Sequence, residues 1–287
     1  MFTKGHCSPR QNSENISCLS KKGLQSIAKV LNKEYKAKIN LKQSKKRLFQ
    51  QIKKVMEKHS SCSTESCWIK IDQIMGKLSS KEQQLIKNSF RPFQPNEWKE
   101  KPNTWLNTND IDNVLFQYEV KYPHFKYYSA TPIDFDLDHN GKCLVSSLCN
   151  INLKNIQKDN KSCIGLVFNI DPHNKPGQHW FSMFIDLKGE NREKPTIYYF
   201  DSATATKEVS KIPRQILELV EELQKQTNYG FDFLYNDIQH QYGDTECGVY
   251  CLHFLTEMLK GVLFENYIHK KLSDKKMERF RKRFFIA

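Results

Sequence analysis

The sequence predicts an α+β domain at residues 96–287, with a mixed sheet flanked by helices, after a small basic helical domain at residues 1–95. In the first third of the chain, apolar residues recur at three- and four-residue spacing, which is typical of short amphipathic helices. Beyond residue 95, short β-branched and aromatic runs alternate with helical patterns, which is typical of a sheet covered by helices.

Four helical patterns make up the N-terminal domain, after a polar segment at residues 1–19 that we expect to be flexible. Apolar stripes at residues 24–31, 41–56 and 68–78 each predict one helix. A shorter fourth helix opens at residue 79. The prolines within residues 92–95 mark the predicted domain boundary.

The positive charge of the chain is concentrated in residues 21–58. This segment has thirteen Lys and Arg residues against two acidic ones, a net of +11 out of +13 for the whole chain. Clustered lysines bind phosphates by releasing counterions, so DNA or another polyanion is one candidate partner. The alternative is that the lysines only solvate the outer faces of small helices. The candidate contacts are Lys45, Lys46, Arg47, Lys53 and Lys54.

Nine cysteines, an odd number without the spacing of a disulfide framework, favour a reduced, intracellular setting. The N-terminus has no apolar secretory region, and no run reaches the ~18 apolar residues of a membrane span. We therefore expect an intracellular protein that is not secreted and has no membrane partner. His59, Cys62 and Cys67 lack the second pair of a zinc finger, so no metal or cofactor is predicted.

The second domain has one predicted helix at residues 111–118, capped by Asn109 or Asp110. Its predicted strands lie at residues 163–170, 179–187, 196–201 and 231–235, and its later helices at residues 212–226 and 247–259.

Cys247 is the candidate nucleophile because it opens the last of these helical patterns. A thiol in the first turn of a helix lies at the positive end of the dipole, which favours the thiolate. Gly248, the next residue, leaves room for a substrate backbone. The alternative is a buried structural cysteine, for which Cys251 is the better candidate.

A thiol nucleophile needs a base and a group that orients the base. His179 stands where a loop enters a strand, and it is the candidate base. The strands at 179–187 and 196–201 predict a hairpin in which paired residue numbers sum to about 380, so Asp201 falls opposite His179 within a residue or two. A carboxylate there can accept the second ring N–H and fix the tautomer.

Gln241 is the candidate oxyanion donor, since it lies six residues before Cys247 on the loop that leads into the helix. Its side-chain amide and the backbone N–H of Cys247 would together stabilise the negative oxygen. Gln239 and His240 are neighbours that could take the same role.

The chain resembles the SUMO-protease and adenoviral-protease superfamily of cysteine peptidases. The resemblance rests on four motifs in this order: residues 177–180, residues 199–202, Gln241 at six before the cysteine, and residues 246–248. Within the superfamily it is greatest to the African swine fever virus polyprotein protease and related thiol proteases of large DNA viruses, through residues 17–22, 65–67 and 286–287.

This resemblance implies a SUMO-protease-like catalytic domain, preceded by a helical arm domain, that cleaves after Gly-Gly through a narrow channel between Trp180 and Trp105. It also implies polypeptide substrates from viral structural polyproteins and a location in virions and in viral factories of the host cytoplasm. Two alternatives stay open: a protease that removes SUMO or ubiquitin-like proteins, and a basic nucleic-acid-binding protein of the virion core.

Overall fold

The chain divides into two compact units. A computed structural model describes residues 6–9, 16–205 and 208–287. The first unit comprises Met1–Gln94 with Arg283–Ala287, and the second comprises Pro95–Lys282. The boundary between the units falls after Gln94, one residue before the position expected from the sequence. The last five residues join the first unit because a parallel bridge pairs Phe93 with Ile286.

Serine caps and one apolar core form the helices of the first unit. Ser20, Ser44 and Ser79 each accept a hydrogen bond from the backbone N–H three residues later, which satisfies one free donor of the helix that follows. The apolar stripes of the helices pack together in a single cluster. The helices are α1 (Lys21–Tyr35), α2 (Lys45–His59), α3 (Glu65–Trp68), α4 (Asp72–Met75) and α5 (Ser80–Lys87).

The single helix predicted at residues 68–78 is wrong, since α3 and α4 are two separate short helices. The N–H of Lys70 and the N–H of Ile71 each donate to a carbonyl three residues back, at 3.0 and 3.2 Å, so α3 ends in a tight turn. Ile71 is then extended, with φ −87° and ψ 109°. Trp68 and Ile74 still enter the same core, which explains the continuous apolar pattern.

The expectation of reduced cysteines is wrong for six of the nine. Disulfides join Cys7 to Cys18, Cys62 to Cys67 and Cys143 to Cys149. The first disulfide anchors residues 16–19, which were predicted to be flexible, and Leu19 is buried. Of the segment at residues 1–19, only residues 6–9 and 16–19 are described. These pairs are 5 to 11 residues apart, and cysteine spacing alone does not reveal them.

A mixed sheet forms the centre of the second unit, as predicted. In the order β1-β5-β6-β7-β8, β5, β6 and β7 are antiparallel neighbours, whereas β1 and β8 run parallel to the strands they join. β2 also pairs with β5, and β3 and β4 form a separate small hairpin. The strands are β1 (Phe125–Tyr127), β2 (Thr131–Pro132), β3 (Asp138–His139), β4 (Lys142–Cys143), β5 (Cys163–Asn169), β6 (Trp180–Asp186), β7 (Thr196–Phe200) and β8 (Asp232–Tyr235).

Helices cover both faces of this sheet, so every residue of β5, β6 and β7 is buried. On one face, alternate strand residues such as Met183 and Tyr199 pack with Leu219 and Leu223 of α9. On the other face, Phe200 stacks on Phe254 of α10. The helices of this unit are α6 (Thr108–Lys121), α7 (Ser146–Cys149), α8 (Leu153–Lys158), α9 (Arg214–Lys225), α10 (Cys247–Met258), α11 (Phe264–Ile268) and α12 (Asp274–Phe284). The last two residues of α12 are assigned to the first unit.

The cap predicted for α6 at Asn109 or Asp110 is wrong, because Asn107 takes this role. The Asn107 side chain accepts from the backbone N–H of Asp110, and the Asp110 carboxylate accepts from the N–H of Asn107, both at 3.0 Å. This reciprocal pair is a capping box, in which the acidic residue occupies the third helical position.

Candidate active site

Cys247 is the first residue of α10 and is only 2% exposed. Glu246 precedes the helix without capping it through its side chain. The first backbone bond of the helix runs from the N–H of Tyr250 to the carbonyl of Glu246, at 2.9 Å. The N–H groups of the first turn, that of Cys247 included, therefore have no acceptor within the helix. The positive end of α10 is therefore directed at Cys247.

His179 immediately precedes β6, and Asp201 immediately follows β7. These strands pair with residue numbers that sum to 382, as in Ser182 with Phe200, so the predicted register differs by two in this sum. The contact expected from it is present: His179 Nε2 lies 2.7 Å from Asp201 Oδ1. Because Nε2 is engaged by the carboxylate, Nδ1 is the ring nitrogen left to exchange a proton with Cys247.

A buried asparagine holds Asp201 in place. The backbone N–H of Asp201 donates to Asn236 Oδ1 at 2.9 Å, and Asn236 Nδ2 donates to the carbonyl of Asp201 at 2.8 Å. The carboxylate also accepts from the N–H of Ala203 at 2.9 Å. Asn236, which follows β8, thus fixes the backbone of Asp201, while the Asp201 carboxylate contacts His179. In this orientation Asp201 can hold one imidazole tautomer.

The environment of His179 stabilises the imidazolium. Burial acts to lower the pKa of His179, but hydrogen bonds to Asp201 and Cys247, with the negative charges of both groups, outweigh burial and raise this pKa to about 10. The imidazole beside the Cys247 thiol is therefore protonated at neutral pH. This is the charge state that a cysteine nucleophile uses.

The amide of Gln241 is held in one orientation. Its Oε1 accepts from the hydroxyl of Ser202 at 2.8 Å, and its Nε2 donates to the carbonyl of Gly243, also at 2.8 Å. Ser202 is fixed in turn, since its carbonyl accepts the backbone N–H groups of His240 and Gln241 at 2.9 and 2.8 Å. One N–H of the amide is used by Gly243, and the second is left for another acceptor.

The two neighbours that could compete with Gln241 have other roles in the loop. Gln239 Nε2 donates to the carbonyl of Gln241 at 2.8 Å. The ring of His240 is buried beside Phe200 and Tyr267, and this burial lowers its pKa. Of the three side chains, Gln241 is thus the one whose amide is held on both sides.

The predicted substrate-binding residues differ in their surroundings. Trp180 is 7% exposed, and its indole N–H donates to the carbonyl of Leu106 at 2.8 Å, whereas Trp105 is 42% exposed. A Cβ added at Gly248 would meet the side chain of Leu106 at 3.0 Å. The space that a side chain at position 248 would enter is therefore occupied by Leu106, so this packing favours glycine.

Similarity to known proteins agrees with this geometry. The model of the family described as "Ulp1 protease family, C-terminal catalytic domain" matches residues 147–287. "Putative thiol protease R355" of Acanthamoeba polyphaga mimivirus is 30% identical over 298 residues, which cover 97% of this chain and 92% of that protein. This chain belongs to the Ulp1 protease family. The Ulp1-family protein is a viral cysteine protease with a SUMO-protease-like fold.

Two further comparisons place the protease beside African swine fever virus proteins. "Cysteine protease S273R" of African swine fever virus (isolate Tick/Malawi/Lil 20-1/1983) is 27% identical over 232 residues, 78% of this chain and 83% of that protein. The crystal structure of ASFV pS273R protease matches with a TM-score of 0.64 at 20% identity, over 99% of this chain and 97% of that one. The fold is therefore shared along both chains.

The sequence patterns of the protease do not single out Asn236, Ser202, Glu246 and Arg281 as site residues. Ser202 and Glu246 belong to two of the motifs, at residues 199–202 and 246–248, and this membership was the available signal. Asn236 follows a strand of ordinary composition, and Arg281 is one of several basic residues on α12. Only the folded chain brings these two to the site.

Three of the predicted DNA contacts are exposed on α2 of the protease: Lys46, Arg47 and Lys54. The other two are engaged. Lys45 Nζ donates to the carbonyl of Ser17 at 2.9 Å, and Lys53 lies 3.6 Å from Glu57. The first three are therefore the ones available to a polyanion.

His59, Cys62 and Cys67 of the protease cannot bind zinc together, since a disulfide joins Cys62 to Cys67. Across residues 6–9, 16–205 and 208–287, no three His, Cys, Asp or Glu side chains are grouped to hold a metal ion. In the same parts of the chain, none of the helices has the length and apolar character needed to cross a membrane.

Proposed function

We propose that this protease is an endopeptidase that cleaves viral structural polyproteins at Gly-Gly-X sites during virion maturation by a Cys-His-Asp mechanism. The observation that carries the proposal is the 2.7 Å contact of His179 with Asp201, which leaves Nδ1 for a cysteine at the open end of α10. The residues in named roles are Cys247 as nucleophile, His179 as acid and base, Asp201 as orienting group and Gln241 as oxyanion donor.

In this mechanism the proton of Cys247 resides on His179, and the thiolate sulfur attacks the scissile carbonyl carbon. The carbonyl oxygen becomes negative and accepts from the Cys247 backbone N–H and the Gln241 amide. His179 then donates its proton to the leaving amine as the C–N bond breaks, which leaves a thioester. Water attacks the thioester, gives its proton to His179, and the C–S bond breaks to release the carboxylic acid.

Preference for Gly-Gly is inferred from how little of the site is open. Cys247 is almost fully buried, and the side chain of His179 is only 20% exposed. Leu106 fills the space beside Gly248. A substrate backbone reaches the sulfur through such an opening most easily where the residues carry no side chain, and two glycines before the scissile bond satisfy this requirement.

A virion is the proposed location. The relatives are proteases of large DNA viruses, which supports a role in making their particles. Cytosolic thiols are generally kept reduced, whereas disulfides persist in oxidising environments that include virion surfaces. The three disulfides of this chain therefore favour the particle over the cytosol of a viral factory as the place where the mature protease resides.

A paired peptidase assay tests the substrate class. We expect the protease to cleave a short Gly-Gly-X peptide from a capsid precursor, and to cleave the matched Gly-Ala-X peptide at least about tenfold more slowly in kcat/KM, because the added methyl group must enter a closed channel. Fluorogenic SUMO and ubiquitin C-terminal substrates are measured beside them. A kcat/KM that is higher for SUMO or ubiquitin than for the peptide would identify a deconjugating protease instead.

DNA or another polyanion is a proposed second partner, bound by the exposed charges of α2. No acidic residue lies within one helical turn of Lys46 or Arg47 on the same face of α2. Glu57 lies one turn from Lys54, but it is paired with Lys53. Binding would concentrate the protease where a viral genome is packaged. This partner accompanies catalysis and does not replace it.

Reversal of these three charges tests the DNA proposal. In the Lys46→Glu, Arg47→Glu, Lys54→Glu variant we expect the slope of log K against log salt concentration to lose about three units, roughly one per lost phosphate contact. The matched control reverses three exposed lysines of the second unit, Lys154, Lys158 and Lys175, and has the same net charge. Equal losses in the two variants would mean that only net charge matters and that α2 is not the binding face.

A further inference from the structure

Arg281 of α12 has a buried guanidinium that is paired with the residue before the reacting cysteine. It is 4% exposed and forms an ion pair with Glu246, with Nη2 at 2.9 Å from Oε1 and Nε at 3.2 Å from Oε2. Nη1 also donates to the carbonyl of Thr104 at 2.7 Å, and Nη2 to the carbonyl of Thr245 at 3.1 Å. The ring of Trp98 lies against the guanidinium, with its centroid 4.8 Å from Arg281 Cζ.

Glu246 occupies the position where an acidic side chain would normally compete with catalysis. It is the residue before the first turn of α10, where a carboxylate can accept from the free N–H groups and interact with the positive end of the helix. It is also the direct neighbour of Cys247. An unpaired carboxylate there would take the donors that an oxyanion needs and would repel a thiolate.

The structure shows the opposite arrangement. Both carboxylate oxygens of Glu246 are bound to Arg281, and the Glu246 side chain caps nothing. A bidentate pair of this kind is both strong and specific in direction.

We propose that Arg281 is a positioning residue for peptide hydrolysis: it draws the Glu246 carboxylate away from the start of α10 and neutralises it, so that the positive end of the helix acts on Cys247 alone. This inference rests on the proposed role of Cys247 as nucleophile. The same guanidinium also holds Thr104, and through it the segment that includes Trp105 and Leu106, against the loop that ends at Cys247.

Several other ionisable groups face Cys247 or the Glu246–Arg281 pair. The thiol of Cys247 faces His179 and Cys251, with Asp201 behind the histidine. The charged pair itself faces Glu278 and Tyr250 on the side of Glu246, and it faces Asp110 of α6 on the side of Arg281. The variants below change none of these groups, so shifts between them report the pair.

A four-member set of variants tests the proposal through the pH dependence of Cys247 alkylation by iodoacetamide. In Arg281→Met the carboxylate of Glu246 is unpaired, and we expect the acidic midpoint of alkylation to rise by about one pH unit. In Glu246→Gln the charge of Arg281 is uncompensated, and the midpoint falls. In the double variant both charges are absent, and the midpoint returns to within about 0.3 units of the wild-type value.

A purely structural role for Arg281 predicts a different pattern, because the double variant would then be at least as defective as Arg281→Met. That result, or an unchanged midpoint in both single variants, overturns the proposal. If Arg281→Met does not fold, Glu246→Gln alone decides by the direction of its shift. Arg192→Met is the matched control: it breaks an exposed pair of similar length, 3.0 Å to Glu265, and leaves the midpoint unchanged.

Alkylation mapped by mass spectrometry separates this inference from the proposed function. Two results support Cys247 as the nucleophile, whatever the Arg281 variants show. In the wild-type protein, iodoacetamide labels Cys247 with an acidic midpoint, and the Cys247→Ala substitution abolishes hydrolysis. Absence of label on Cys247 would instead contradict the proposed mechanism.

Discussion

Replacement of Cys247 by alanine is expected to lower kcat/KM on a Gly-Gly-X peptide by more than about 10⁴-fold. The sulfur forms the covalent intermediate, and no other nucleophile can take its place beside His179. The fold should persist, because removal of one buried sulfur costs about 1 kcal/mol. The measurements are steady-state hydrolysis and the midpoint of thermal unfolding.

Cys251→Ala is the matched control for this variant. Cys251 lies one turn further along α10 and is 1% exposed, so the substitution removes the same atoms from an equally buried site. We expect a similar change in unfolding midpoint and nearly full activity. Hydrolysis that survives in Cys247→Ala, or a comparable loss in Cys251→Ala, would contradict the assignment of the nucleophile.

Gln241→Ala is expected to reduce kcat by about 10²- to 10³-fold with little change in KM, as for the loss of one oxyanion donor. The amide contributes when the carbonyl oxygen becomes negative and not when the substrate first binds, so its effect belongs to kcat. Ser202→Ala should give a smaller loss of the same kind, since the Ser202 hydroxyl fixes the amide that donates. Kinetics on a single Gly-Gly-X peptide measure both.

Gln239→Ala serves as the control in the same loop, because its side chain binds the Gln241 carbonyl and leaves the Gln241 amide in place. Its kcat should stay within a few-fold of the wild-type value. A larger loss in Gln239→Ala than in Gln241→Ala would transfer the donor role to Gln239.

Much of the site was predictable because its parts have local signatures. Cys247 begins an apolar helical pattern, and His179 and Asp201 flank a hairpin whose register follows from its turn. The predicted register differed by two in the sum of paired numbers, yet the contact formed, since both residues lie just outside the paired strands, where the chain can adjust. Strands β5, β6 and β7 were predictable for the same reason, as each is a run rich in β-branched and aromatic residues.

The remaining features depend on contacts that local patterns do not encode. Glu246 and Arg281 are 35 residues apart, and nothing in α12 distinguishes Arg281 from its basic neighbours. Asn236 binds Asp201 from the same separation. The break between α3 and α4 is hidden because both helices contribute apolar residues to one core, which makes two short helices look like one long helix.

The two halves of the proposed catalytic site differ in how much of the chain must be synthesised before they can form. His179 and Asp201 come together through one hairpin, whereas Cys247 joins them only when α10 packs on β6, and Glu246 pairs with Arg281 of α12. On a ribosome the proposed base and its partner can therefore assemble several seconds before the proposed nucleophile is in place, at usual rates of about 5–20 residues per second. The order of synthesis thus delays the site, since the proposed nucleophile joins it only after α10 has been made and has packed on β6.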